Sequence, residues 1–129
     1  MKYITHKRFK GKAICGDVNL PAMTECESDG SFIQHDGKVL CAIKSENARQ
    51  YFSSNDDGRG LERGRLTQDI QKLLAKRDDG YQSRWDKVWA DPLCRKYKRV
   101  EHNDYWLWNH KFFNAPISDL EYIYKLIRR

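Results

Sequence analysis

The chain has 129 residues, 40% hydrophobic and 12% aromatic, which suits one compact core and is short for two ordinary ones. Its 24 Lys plus Arg against 18 Asp plus Glu give a net charge of +6. A field of that sign raises the encounter rate with polyanions, among them nucleic acids, anionic membranes and acidic protein surfaces, without choosing between them. The excess is uneven, because residues 1–60 hold 9 basic and 8 acidic side chains whereas residues 61–129 hold 15 and 10.

The opening Met1-Lys2-Tyr3-Ile4-Thr5-His6-Lys7-Arg8 places charges where the apolar region of a secretory signal would lie. No apolar run reaches the roughly 20 residues that span a bilayer. A cytoplasmic protein that does not engage a membrane is expected, with its four cysteines as reduced thiols.

In the first third, short apolar runs are separated by turn residues. Tyr3-Ile4 and Phe9 come first, then Ala13-Ile14-Cys15, a break at Gly16-Asp17 and a loop at Pro21. Phe32-Ile33-Gln34-His35 and Val39-Leu40-Cys41-Ala42-Ile43 flank Asp36-Gly37, a strong hairpin signal. This predicts an antiparallel sheet of about four or five short strands over residues 1–44.

From Ser45 the period becomes helical. Ser45 is expected to cap a short helix holding Ala48, Tyr51 and Phe52, followed by a polar loop from Ser53 to Gly60. Leu66, Ile70, Leu73 and Leu74 mark a second helix, with Arg65, Lys72 and Lys76 as a basic stripe along it. Trp85, Val88 and Trp89 mark a third. Asp91-Pro92 is expected to start another, as Pro suits the first helical turn. In the last helix Ser118 and Glu121 have capping-box spacing, Ile117 and Tyr122 staple spacing, and Leu120, Ile123, Tyr124 and Ile127 form the buried face. The fold expected is one α+β domain over residues 1–129, an N-terminal antiparallel sheet packed with a C-terminal layer of about four helices.

Five groups of residues could carry chemistry. Cys15, Cys26, His35 and Cys41 have the residue types of a Cys₃His zinc site but lack the paired C-x₂₋₄-C knuckle. A tight turn at Asp36-Gly37 would also pair Phe32 with Cys41 and set His35 and Cys41 on opposite faces. Buried thiols are the simpler expectation. Asp56 and Asp57, between Asn55 and Gly58 and ahead of Glu62, could hold a divalent cation, yet they lack the alternating ligands of an EF-hand and are ordinary turn residues. The glycines Gly58, Gly60 and Gly64 accompany neither a Walker lysine nor a preceding strand.

His102, Asp104 and His110, within Glu101-His102-Asn103-Asp104 and Asn109-His110-Lys111, are similar in type to the base and ligands of ββα-metal nucleases. Their spacing is too short for the strand, turn and helix of that motif, so a metal-dependent nuclease stands as an alternative. The basic set Arg65, Lys72, Lys76, Arg84, Lys87, Arg95, Lys96, Lys98 and Arg99, with Arg63 and Arg77 nearby, would neutralise phosphates if its members share a face. Surface ion pairs with interleaved aspartates are the competing reading. The density of Tyr105, Trp106, Trp108, Phe112 and Phe113 favours burial over exposure.

Ser45-Glu46-Asn47-Ala48, Asn55-Asp56-Asp57-Gly58, Arg84-Trp85-Asp86-Lys87-Val88-Trp89-Ala90-Asp91-Pro92 and Phe112-Phe113-Asn114-Ala115-Pro116-Ile117 spread over most of the chain. Together they give it a resemblance to small accessory proteins encoded by temperate phages of Gram-positive bacteria. That resemblance implies a class that includes inhibitors of host defence, anti-CRISPR proteins among them, and it carries over no functional residue. Many such inhibitors are acidic mimics of DNA, and this chain is basic. The expectation is a non-enzymatic inhibitor of a nucleic-acid-targeting host complex, a CRISPR effector nuclease by that resemblance. A general nucleic-acid-binding accessory protein is the other alternative.

Overall fold

A computed structural model describes residues 1–13, 16–98 and 108–128. The fold is α+β, and the chain divides into two compact units, Met1–Gly64 and Arg65–Arg129.

The first unit is built on a five-stranded antiparallel sheet. Strands β1 (Lys2–Thr5), β4 (Glu25–Ser28), β5 (Phe32–His35), β6 (Lys38–Ala42) and β7 (Phe52–Ser54) lie in the order β6-β5-β4-β1-β7. β2 (Phe9–Ala13) and β3 (Gly16–Leu20) form a separate hairpin, and helix α1 (Glu46–Tyr51) leads into β7. Tyr3, Phe9, Cys26, Ile33, Leu40, Cys41, Ala48 and Phe52 make the core. Phe9 meets Tyr51 and Phe52 edge to face, with ring centres 5.1 and 5.3 Å away.

The Asp36-Gly37 turn forms as its chemistry requires, both residues having positive φ and His35 pairing with Lys38. The expected pairing of Phe32 with Cys41 does not. A bulge at Leu40 shifts the register, so Cys41 opposes Ile33 and Ala42 opposes Phe32. The extra residue lets Leu40 and Cys41 both turn inward, and the argument from opposite faces for His35 and Cys41 falls with it. Ser45 caps α1, accepting from the amide of Ala48 at 3.3 Å. Phe52 and Ser53, read as helix end and loop, belong instead to β7, paired with Thr5 and Ile4 of β1.

In the second unit, the core joins Leu66, Ile70 and Leu74 of helix α2 (Gly60–Ala75) to Val88 of α3 (Tyr81–Ala90), Cys94 of α4 (Pro92–Lys96), and Ile117, Leu120, Ile123 and Ile127 of α5 (Ile117–Arg128). Trp108, Phe112 and Phe113 lie within it, as their density predicts, the Trp108 and Phe112 rings stacked 4.3 Å apart. The capping box expected at Ser118 is not the helix start. α5 begins at Ile117, and the Pro116 carbonyl accepts from Leu120 at 3.2 Å, which makes Pro116 the cap position. Starting there brings Ile117 into the buried stripe at the cost of the serine cap.

Candidate nucleic-acid interface

The sequence-predicted cations separate into internal and exposed sets. Arg63 is internal, 3% exposed, with Nη2 held 2.6 Å from Asp57 and Nη1 donating to the Ser54 carbonyl. Arg84 is likewise buried, 7% exposed. Its Nη2 donates to the Lys76 carbonyl just past the end of α2 and meets Asp78 at 2.8 Å. Arg84 was expected on the binding face; its guanidinium instead ties the end of α2 to α3. Lys87 is half-buried in α3 and engaged with its surroundings. Lys76 lies beyond Ala75, the last residue of α2, and its ammonium is 3.7 Å from Asp78.

Arg65 and Lys72 remain exposed along α2. Around α4 the display is denser. Asp91 caps this helix by accepting from the amides of Leu93 at 2.8 Å and Cys94 at 3.2 Å, with Pro92 in the first turn as the sequence predicts. The cap places Arg95 and Lys96 in the exposed last turn. Arg95 Nε donates to the Trp89 carbonyl at 3.3 Å, and Lys98 Nζ lies over the Trp89 ring, 2.8 Å from its centre. Lys96 Nζ stands 5.5 Å from the centre of the Tyr97 ring. Burial and the nearby Arg95 charge both lower the Lys98 pKa. Arg99 lies outside the described residues.

Asn109 fixes the chain beyond α4. Its side-chain amide donates to the carbonyls of Lys96 and Lys98 at 3.3 and 3.4 Å, its backbone N–H donates to Tyr97, and Lys98 bridges to Trp108. Three carboxylates of this unit are drawn into internal bonds. Asp119 accepts from the Tyr97 hydroxyl at 2.6 Å, Asp91 from that of Tyr122 at 2.7 Å, and Asp86 from Gln82 at 2.9 Å. Among the described residues, none of Arg65, Lys72, Arg95, Lys96 and Lys98 is in an ion pair.

Among the described residues the remaining candidates do not assemble. Among the described residues no three His, Cys, Asp or Glu side chains come together as metal ligands, and Cys15 lies outside them. Cys26 and Cys41 are buried free thiols, and burial pushes the Cys26 pKa up to about 11. His35 faces the Glu25 carbonyl through Nδ1 and Asp36 through Nε2. In the acidic loop, Asp56 accepts from the Lys2 amide at 2.7 Å. The Arg63 hydrogen bond, foremost, holds Asp57 down to about 2. His102 and Asp104 lie outside the described residues, as do Tyr105 and Trp106; His110 is half-buried, its carbonyl accepting from Asn114.

The sequence marks Trp89, with Trp85 and Val88, only as part of a helix and does not single it out as a surface residue. Trp89 is 49% exposed, whereas Val88 is buried and Trp85 is anchored through Nε1 to the Leu74 carbonyl. Its position beside Ala90 and Asp91, at the polar end of the helix, was the available signal. Comparison with protein-family models, curated proteins and solved structures finds no match for this chain.

Proposed function

We propose that this chain is a non-enzymatic binding protein whose partner is a complex built on nucleic acid, reached through Arg65, Lys72, Arg95, Lys96 and Lys98. One observation carries the reading: Asp91 and Asp119 are turned to a helix cap and tyrosine hydroxyls and Asp78 to Arg84 and Lys76, while among the described residues these five cations are in no ion pair. A phosphate backbone is the complementary surface, since each neutralised phosphate releases condensed counterions and adds salt-sensitive affinity. In the setting implied by the resemblance to phage accessory proteins, the partner is a host defence complex, such as a CRISPR effector nuclease, engaged through its bound nucleic acid.

The test is charge reversal at Arg95 and Lys96 to Glu, both exposed in the last turn of α4. Affinity of the folded variant for a labelled oligonucleotide should fall, and the slope of log affinity against log salt should become shallower. Inhibition of guide-directed cleavage by a purified effector should be lost in parallel. Unchanged affinity and slope would remove this surface from the function.

A further inference from the structure

We propose that Trp89 is a stacking platform for an unpaired base, with Arg95 and Lys98 on the phosphates flanking it, so that the ligand is single-stranded nucleic acid. The inference rests on the polyanion reading and narrows it. Large aromatic side chains at chain surfaces are costly to leave in water, yet Trp89 is 49% exposed while Trp108, in the same unit, is buried. The backbone at Trp89 is also held in place, Arg95 bonding its carbonyl and Asp91, two residues on, anchoring the start of α4, while the Lys98 ammonium stands over one face of the ring. A half-exposed indole on a fixed backbone needs little further ordering to receive a flat ligand.

The chemistry around the ring selects the class of ligand. A base stacks on an indole through its π-face, which is open in a single strand and occupied by neighbouring bases in a duplex. The phosphates on either side of that base would then lie near the guanidinium of Arg95 and the ammonium of Lys98. Lys98 is partly desolvated where it sits, and a phosphate restores a counter-charge to it. An acidic peptide would satisfy the cations and leave the exposed ring without a flat partner.

The test uses the full chain, a fluorescein-labelled oligothymidylate, and an abasic oligodeoxyribose phosphate of the same length, read by anisotropy. Replacing Trp89→Ala should weaken oligothymidylate binding about tenfold and leave abasic binding unchanged. Trp89→Phe, which retains a ring, should recover most of the loss, and circular dichroism of both variants checks that α3 is intact. Equal loss on both probes, or loss on neither, would overturn the stacking assignment while leaving the cationic surface standing. If neither probe binds the unaltered chain, the polyanion reading itself fails. Competition by polyglutamate as strong as by oligothymidylate would overturn the assignment in favour of an acidic protein.

Discussion

The hydroxyl of Tyr122 on α5 donates to Asp91 at 2.7 Å, and the other oxygen of that carboxylate caps α4. One side chain therefore ties the start of a five-residue helix to a longer neighbour. A helix this short has no independent stability. Replacing Asp91→Ala should cost about 1–2 kcal/mol in chemical denaturation, with Asp91→Asn costing less because an amide oxygen still caps. Tyr122→Phe isolates the second bond and should cost less than the loss of the cap, the hydroxyl being at the surface.

Arg84 and Arg95 should respond oppositely to truncation. Arg84→Ala removes a buried cation from the Lys76 carbonyl and Asp78, and should destabilise the fold by about 2 kcal/mol with the oligonucleotide affinity of the folded protein unchanged. Arg95→Ala should weaken binding and leave the denaturation midpoint within about 0.5 kcal/mol. A binding loss in folded Arg84→Ala protein would return that residue to the interface.

Acid should act on the first unit in two steps. His6 Nδ1 lies 2.8 Å from Ser53 Oγ and Nε2 lies 2.7 Å from the Gln50 carbonyl, so the carbonyl requires the proton on Nε2 and Ser53 donates to Nδ1. Burial, the largest cause, lowers the His6 pKa below its ordinary 6.5. The folded state thus binds the proton less readily than the unfolded one, and stability falls as pH drops below about 6.5. Asp57, held down to about 2, adds stability that is full above the ordinary carboxylate value and is lost between about pH 4 and 2. Melting temperature against pH should show both regions. His6→Gln should flatten the upper one alone, and Asp57→Asn the lower.

Gly60 and Gly64 sit one helical turn apart at the start of α2. A Cβ on Gly60 would fall on the Ile4 side chain, and a Cβ on Gly64 on the ring and Cβ of His6. Gly64→Ala gains roughly 1 kcal/mol of helix propensity, and overpacking against His6 should exceed it, for a net loss of about 1–2 kcal/mol. A stabilised Gly64→Ala variant would show that His6 moves aside freely.

Residues that announce a turn or cap locally were legible. Asp36-Gly37, Ser45 and Asp91-Pro92 each carry their geometry in two or three neighbouring residues. Strand β4 was not, because in Glu25-Cys26-Glu27-Ser28 only Cys26 is apolar and buried, its neighbours Glu25 and Glu27 being exposed. β7 was hidden for another reason: Ser53 is buried by its bond to His6, 47 positions away, which no local pattern encodes. Gly60 and Gly64 looked like part of a weak phosphate-loop signal and proved to be where the start of α2 passes close to Ile4 and His6. At the candidate interface, the exposure of Arg95 and Lys96 followed from the cap at Asp91, whereas the burial of Arg84 and exposure of Trp89 depend on how α2, α3 and α4 meet.

Asn109 has a thermodynamic consequence for the cations beside it. Lysines at a helix end commonly fold back onto the last carbonyls, but here Asn109 already bonds the carbonyls of Lys96 and Lys98. An uncharged amide does the neutralising, so the Lys96 ammonium is not needed there and stays at the surface, 5.5 Å from the centre of the Tyr97 ring, until a ligand arrives. Immobilising such a chain costs up to about 2 kcal/mol, a term that calorimetry of binding should register as unfavourable entropy and that Lys96→Ala should reduce.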